Sequence, residues 1–166
     1  RATVGGLLRG AGVAVVDGAD ADRAPSLVLV VTVGEPARDE VDPLVREGAP
    51  HLLVSLGATA RVGPLVVPGA TACLRCVDAR LAETDPRRPL VVEQVVRAAR
   101  AAGDVPVDPT LTTLALAWAV RDLCRYLEGD RPATWSAVVE VGADGPMTPT
   151  AWVRHPHCGC AWDVLA

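Results

Sequence analysis

Apolar and polar positions change period several times along the chain, and each change marks an element. SLVLVVTV, residues 26–33, is a continuous β-branched run between Pro25 and Gly34; it predicts a strand covered on both faces within a mainly parallel sheet. EPARDEVDPLVREG follows with charged residues around a few apolar positions, predicting a crossover helix that ends at Gly48 although Pro43 interrupts it. HLLVSL, residues 51–56, is the next strand. Strand, helix, strand in this order is a βαβ unit. Upstream, TVGGLLRGAG reads as the end of a helix closed by Gly12, and GVAVVDG, residues 12–18, as a short strand.

Downstream the pattern breaks at GPLVVPG, residues 63–69, where two Pro-Gly punctuations bracket a short extended piece leading into TACLRC. LVVEQVVRAARAAG predicts a helix closed by Gly103. DPTLTTLALAWAVRDLCRYLEG, residues 108–129, predicts a longer one with Asp108 as N-cap, Pro109 at the first helical position and Gly129 past the end. Residues 114–120 of this helix are apolar all round. That predicts burial, with a subunit interface as one way to cover it. TWSAVVEVGADGPMTPTAWVRH predicts two strands joined around residues 143–146, with polar and apolar positions alternating over 136–141.

Composition narrows the picture. At 166 residues, half of them apolar, the chain can bury one sizeable core and is too short for two ordinary domains. The expectation is one α/β domain over residues 1–166. Every one of the 16 basic residues is Arg, so no lysine nucleophile, Schiff base or phosphate-loop lysine is available. A net charge of −4, with acids and arginines interspersed, gives no footprint for nucleic acid. No run reaches the roughly eighteen apolar residues of a membrane span, and the first residues lack a signal-peptide layout. The resulting expectation is a cytoplasmic chain with reduced thiols, where close-set cysteines are more often metal ligands or redox groups than disulfides.

CLRC supplies Cys73 and Cys76; HPHCGC, far downstream, supplies Cys158 and Cys160. Each pair is a half-site, and two half-sites match the four soft ligands of tetrahedral zinc. Pro68, Gly69, Pro156 and Gly159 are expected to keep both ligand segments out of regular structure. Two alternatives stay open: a redox dithiol at Cys73 and Cys76, and a site in which His155 or His157 replaces one thiol. The redox alternative is disfavoured by an expected lack of placement at a helix start after a core strand, and it leaves Cys158 and Cys160 unexplained. Cys124, inside the apolar helix, reads as a buried inert thiol. His51 reads as a core or edge histidine, and Asp17, Asp78 and Asp85 as caps or surface residues. No catalytic arrangement can be assembled from spacing.

VGPLVVPGATACLRC together with HPHCGC resembles the cyclodehydratase-associated proteins of the ThiF/MoeB-like superfamily. These belong to clusters making bacteriocins and other ribosomal peptides modified with thiazoles and oxazoles, the thiazole/oxazole-modified microcins. The resemblance runs from Val13 onward. It implies a Rossmann-like sheet, a structural zinc on Cys73, Cys76, Cys158 and Cys160, and a homodimer, for which the helix around Trp118 is a candidate surface. It also implies two partners: a YcaO-type protein that uses ATP to activate the peptide backbone, and a precursor peptide whose leader the ThiF-like protein binds.

Adenylating members hold ATP on a glycine-rich turn with Arg, Lys and Asp beyond it. Here Gly5, Gly6 and Gly10 are a poor remnant and Lys is absent, so ATP is not expected to bind and no cofactor-binding or catalytic residue is assigned. The first strand, that turn and the leader-binding module of longer relatives are not found, which implies a fragment of a longer protein. The function implied is a non-adenylating scaffold. Two others compete with it: an adenylating enzyme of sulfur-carrier activation, and a zinc-containing interaction domain with an unrelated partner.

Overall fold

A computed structural model describes residues 2–16, 25–102, 106–142 and 147–160. Five strands form one sheet in the order β1 (Val28–Val33), β2 (His51–Leu56), β3 (Ala60–Val66), β4 (Ala137–Val141), β5 (Pro149–Ala151). The expected βαβ unit is present: β1 and β2 are parallel, in register from Val28 opposite His51 to Val33 opposite Leu56, and α2 (Arg38–Arg46) connects them. The other three pairs are antiparallel, so the sheet is mixed. Residues 57–59 leave room only for a tight turn, and a tight turn can join only antiparallel strands. The segment read as a break, residues 63–69, is therefore largely the second half of β3.

Gly63 shows why that segment looks broken in sequence. Its φ is +106°, and a Cβ there would lie 2.2 Å from the Ala137 carbonyl oxygen, so β3 approaches β4 by leaving out a side chain.

The side-chain period of two divides the sheet's burial. Leu52, Val54 and Leu56 share a face with Val62, Val139 and Val141, and this face packs on α5 (Pro109–Leu127) and on Leu8 of α1 (Ala2–Gly10). Leu53 points the other way, against Val41 of α2 and Leu74 of α3 (Leu74–Thr84). Helices thus flank both faces, and β2 and most of β3 are buried on both. β1 differs from its expectation: Val31 and Val33 remain 44% and 43% exposed, because β1 is an edge strand and only its first half, at Leu29 and Val30, packs on the core. Residues 13–16 are not a strand as expected; Gly12, at φ +78°, closes α1, and Val13 and Val15 pack irregularly on the core. Residues 17 and 18 lie outside the described residues.

The helix expected before Gly103 is α4 (Arg88–Ala102); Gly103 itself lies outside the described residues. The 108–129 helix forms as its punctuation dictates. Asp108 Oδ1 accepts from the backbone N–H of Thr110 at 2.7 Å and of Leu111 at 3.0 Å, and Gly129 follows the end at φ +91°. Burial is one-sided, however: Ala115, Leu116, Ala119, Val120 and Leu123 face the sheet, whereas Leu114 is 45% exposed. An apolar ring in sequence is thus split by a single packed face. Asp108→Ala removes two accepted hydrogen bonds and should cost about 1 kcal/mol, lowering the melting midpoint by roughly 2–4 °C in a circular-dichroism melt.

β4 and β5 pair antiparallel, Ala137 opposite Ala151, as the alternating pattern implied; the turn at 143–146 lies outside the described residues.

Candidate metal centre

Cys73 is the N-cap residue of α3 and Cys76 sits in its first turn. The segment is thus helical from Leu74, contrary to the irregular structure expected around both thiols. VDARLAET is rich in good helix formers and takes over as soon as the Pro68-Gly69 turn is passed. One helical turn brings residues i and i+3 to the same side, so the two thiols converge at 3.7 Å.

The C-terminal segment completes the group. Cys158 Sγ lies 3.6 Å from Cys73 Sγ and Cys160 Sγ 3.3 Å from Cys76 Sγ, and all four sulfur atoms fall within 4.8 Å of one another. Four sulfurs at about 2.3 Å from one zinc stand about 3.8 Å apart in a regular tetrahedron, so the spacing suits such an ion. All five cysteines are free, and these separations are far from the roughly 2.05 Å of a disulfide. Cys73, Cys76 and Cys158 are buried and Cys160 is half-buried, with Val66, Ala72 and Trp152 packed around them.

The thiols differ in how readily each ionises. The Cys73 S–H donates to Cys76 and, with lesser contacts, holds the Cys76 thiol down at about 4 despite burial. The same hydrogen bond, then burial, pushes Cys73 up; burial and then Cys76 push Cys160 up to about 12. Cys76 is the thiolate this arrangement favours, and Cys73 and Cys160 resist following it. Four thiolates together need a compensating positive charge, which a divalent soft metal supplies.

Three side chains brace the two half-sites apart from the sulfurs. Ser136 Oγ accepts from the Ala72 N–H at 2.9 Å and donates to the Trp152 carbonyl at 2.8 Å, and Ser136 itself is held at φ +52°. Arg154 donates to the carbonyls of Gly69, at 2.7 Å, and Cys160. His155 Nε2 lies 3.0 Å from Glu83 Oε1, and His155 Nδ1 accepts from the His157 N–H at 3.2 Å. Both ring nitrogens of His155 are therefore engaged away from the sulfurs, and among the described residues the four-ligand group contains no histidine. The placement objection to a redox dithiol fails, since Cys73 does open a helix shortly after β3. What weighs against a dithiol is that Cys158 and Cys160 occupy the same spot.

Other sequence candidates resolve differently. His51 is fully buried in β2; burial lowers its pKa, and Nδ1 lies 2.9 Å from the Ala49 carbonyl, so it is a neutral core residue. Cys124 is half-buried at the margin of the main core. Asp85 caps the end of α3 and accepts from the Arg87 N–H at 3.1 Å. Asp17 lies outside the described residues.

Asp78 is neither cap nor surface residue. Its two oxygens each take a hydrogen bond of 2.6 Å from Arg38, which is only 8% exposed and also reaches Glu35 at 2.7 Å and the Pro36 carbonyl. Burial opposes the Arg38 charge, but hydrogen bonds with Asp78 and then Glu35 outweigh it and raise its pKa. Arg88 and Arg61 approach Glu35 at 3.5 and 3.7 Å. This network lines one side of a cavity of about 350 Å³ between α3 and the sheet, with Leu53, Val138 and Trp152 on its apolar side. Sequence reasoning missed it. Glu35 and Arg38 at i, i+3 were a weak signal; their partner lies 40 residues on.

No family model and no curated protein matches the sequence. Solved structures match the fold. The heterocyclase TruD superposes with a TM-score of 0.71 at 20% identity, over 96% of this chain and 25% of that one. Its fold is found within TruD. A heterocyclase in complex with substrate and cofactor gives 0.69 at 17% identity, over 96% of this chain and 23% of that one. E. coli MccB with SeMet MccA gives 0.59 at 18% identity, over 89% and 44%. The chain therefore spans about a quarter of the length of these heterocyclases and under half of MccB. The fold is the one to which the CLRC and HPHCGC resemblance pointed.

Proposed function

We propose that this chain is a ThiF-like, zinc-stabilised scaffold of a cyclodehydratase making azole- or azoline-modified bacteriocin peptides. The observation that carries the reading is the likeness to TruD across 96% of the chain. Cys73, Cys76, Cys158 and Cys160 would hold the zinc. With four protein ligands the ion has no open position for water or substrate, so its role is structural.

The scaffold would act without adenylating. Stabilising a transferring phosphate group calls for positive charge placed on the developing transition state. The chain has no Lys, and the most buried Arg among the described residues, Arg38, is already bound to two carboxylates. ATP chemistry therefore falls to a YcaO-type partner, and this chain contributes position: a precursor peptide held beside the partner reacts at a raised effective concentration. A homodimer through α1 and α5 would cover Leu7 and Leu114, 41% and 45% exposed. We place the assembly in the cytoplasm, where thiols stay reduced; no described helix is long and apolar enough to cross a membrane.

The test is reconstitution. Precursor dehydration should need this chain, a YcaO-type protein and ATP together, while pyrophosphate exchange by this chain alone stays at background. Exchange well above background that an Arg→Ala substitution abolishes would favour an adenylating enzyme instead.

A further inference from the structure

Arg154 touches both half-sites without supplying a ligand. Its guanidinium donates to the Gly69 carbonyl, four residues ahead of Cys73, and to the carbonyl of Cys160 itself. These groups belong to opposite half-sites. The polypeptide between them passes through α3, α4, α5 and the last two strands, so nothing local in sequence holds them together.

We infer that Arg154 is a positioning residue of the metal centre, which bridges Gly69 and Cys160 and thereby aims the Cys160 thiol at the ion. This rests on the reading that the four thiols hold a metal. Cys160 is where such help matters most: the other three thiols are buried, whereas Cys160 is half-buried and carries the shortest sulfur contact, 3.3 Å to Cys76. A planar guanidinium can donate to two divergent carbonyls at once while an ammonium acts as a point charge, so the geometry selects Arg over Lys. Outer groups of this kind orient ligands, and their loss typically weakens metal binding about 10- to 100-fold.

The experiment titrates the full chain with Zn²⁺ against a chromophoric chelator and with Co²⁺ followed by its thiolate absorption. The variants are Arg154→Lys, Arg154→Gln and, as a surface control, Arg97→Gln. Wild type and the control should bind alike, while both Arg154 variants should lose roughly 10- to 100-fold in affinity. In metal-loaded Arg154 variants, Cys160 should become the first cysteine alkylated by iodoacetamide. If the Arg154 variants bind as wild type does while metal-free and metal-loaded melting fall equally, Arg154 only stabilises the fold and the inference is overturned. If wild type binds neither ion, the metal reading itself fails, and the inference with it. Arg154→Lys keeps charge and length, so a folding failure of Arg154→Gln does not block the test.

Discussion

Cys158→Ser is expected to remove bound zinc and to lower the melting midpoint by roughly 10 °C or more, since losing a metal site ranks with the largest single-residue effects, above about 4 kcal/mol. The size follows from where the half-sites lie. One is the first turn of a helix in mid-chain and the other follows the last described strand, so an ion held there would close a long stretch of chain. Its binding free energy is then largely folding free energy. Cys76→Ser should behave the same way, and chelation of the wild type should reproduce both. Cys124→Ser, at the margin of the main core, should keep full metal content and lose at most about 1 kcal/mol, a typical value for a single substitution. Zinc content by mass spectrometry beside a thermal melt reads both effects; unchanged metal in Cys158→Ser would refute the assignment.

Arg38→Met should cost about 3–5 kcal/mol at neutral pH. Removing the guanidinium leaves the Asp78 and Glu35 carboxylates, 14% and 13% exposed, without their main counter-charge. The cost is that of stranded charge more than of a lost attraction. Arg38→Met with Asp78→Leu should therefore recover part of the loss, and urea unfolding of the two singles and the double measures the coupling. Because Asp78 lies two residues beyond Cys76 on α3, this pair and the thiols fix the same end of one helix. Arg38→Met is thus also expected to weaken zinc binding, though less than Arg154→Gln.

How much of this was legible in the sequence depended on how local its cause was. β2 and α5 were read with nearly their observed bounds because continuous apolar character and a Pro-Asp-Gly punctuation are local signals. The antiparallel β3 was obscured by Gly63 and Pro64, whose role is set by the approach of β4, some seventy residues on. The start of α3 is not legible because two thiols three positions apart suit a turn and a helix start equally well. The four cysteines were found because two spaced pairs are a pattern in themselves. Ser136, Arg154 and the Arg38–Asp78 pair were not, because each joins segments that only the folded chain brings together.

The most direct test of a single four-thiol centre is simultaneous counting of metal and thiols on the protein isolated under reducing conditions without added zinc. One zinc per chain is expected, released by a mercurial reagent only as the four thiols react and with no disulfide present. A chain free of zinc, or one with Cys73 and Cys76 joined as a disulfide while Cys158 and Cys160 stay reactive, would contradict it.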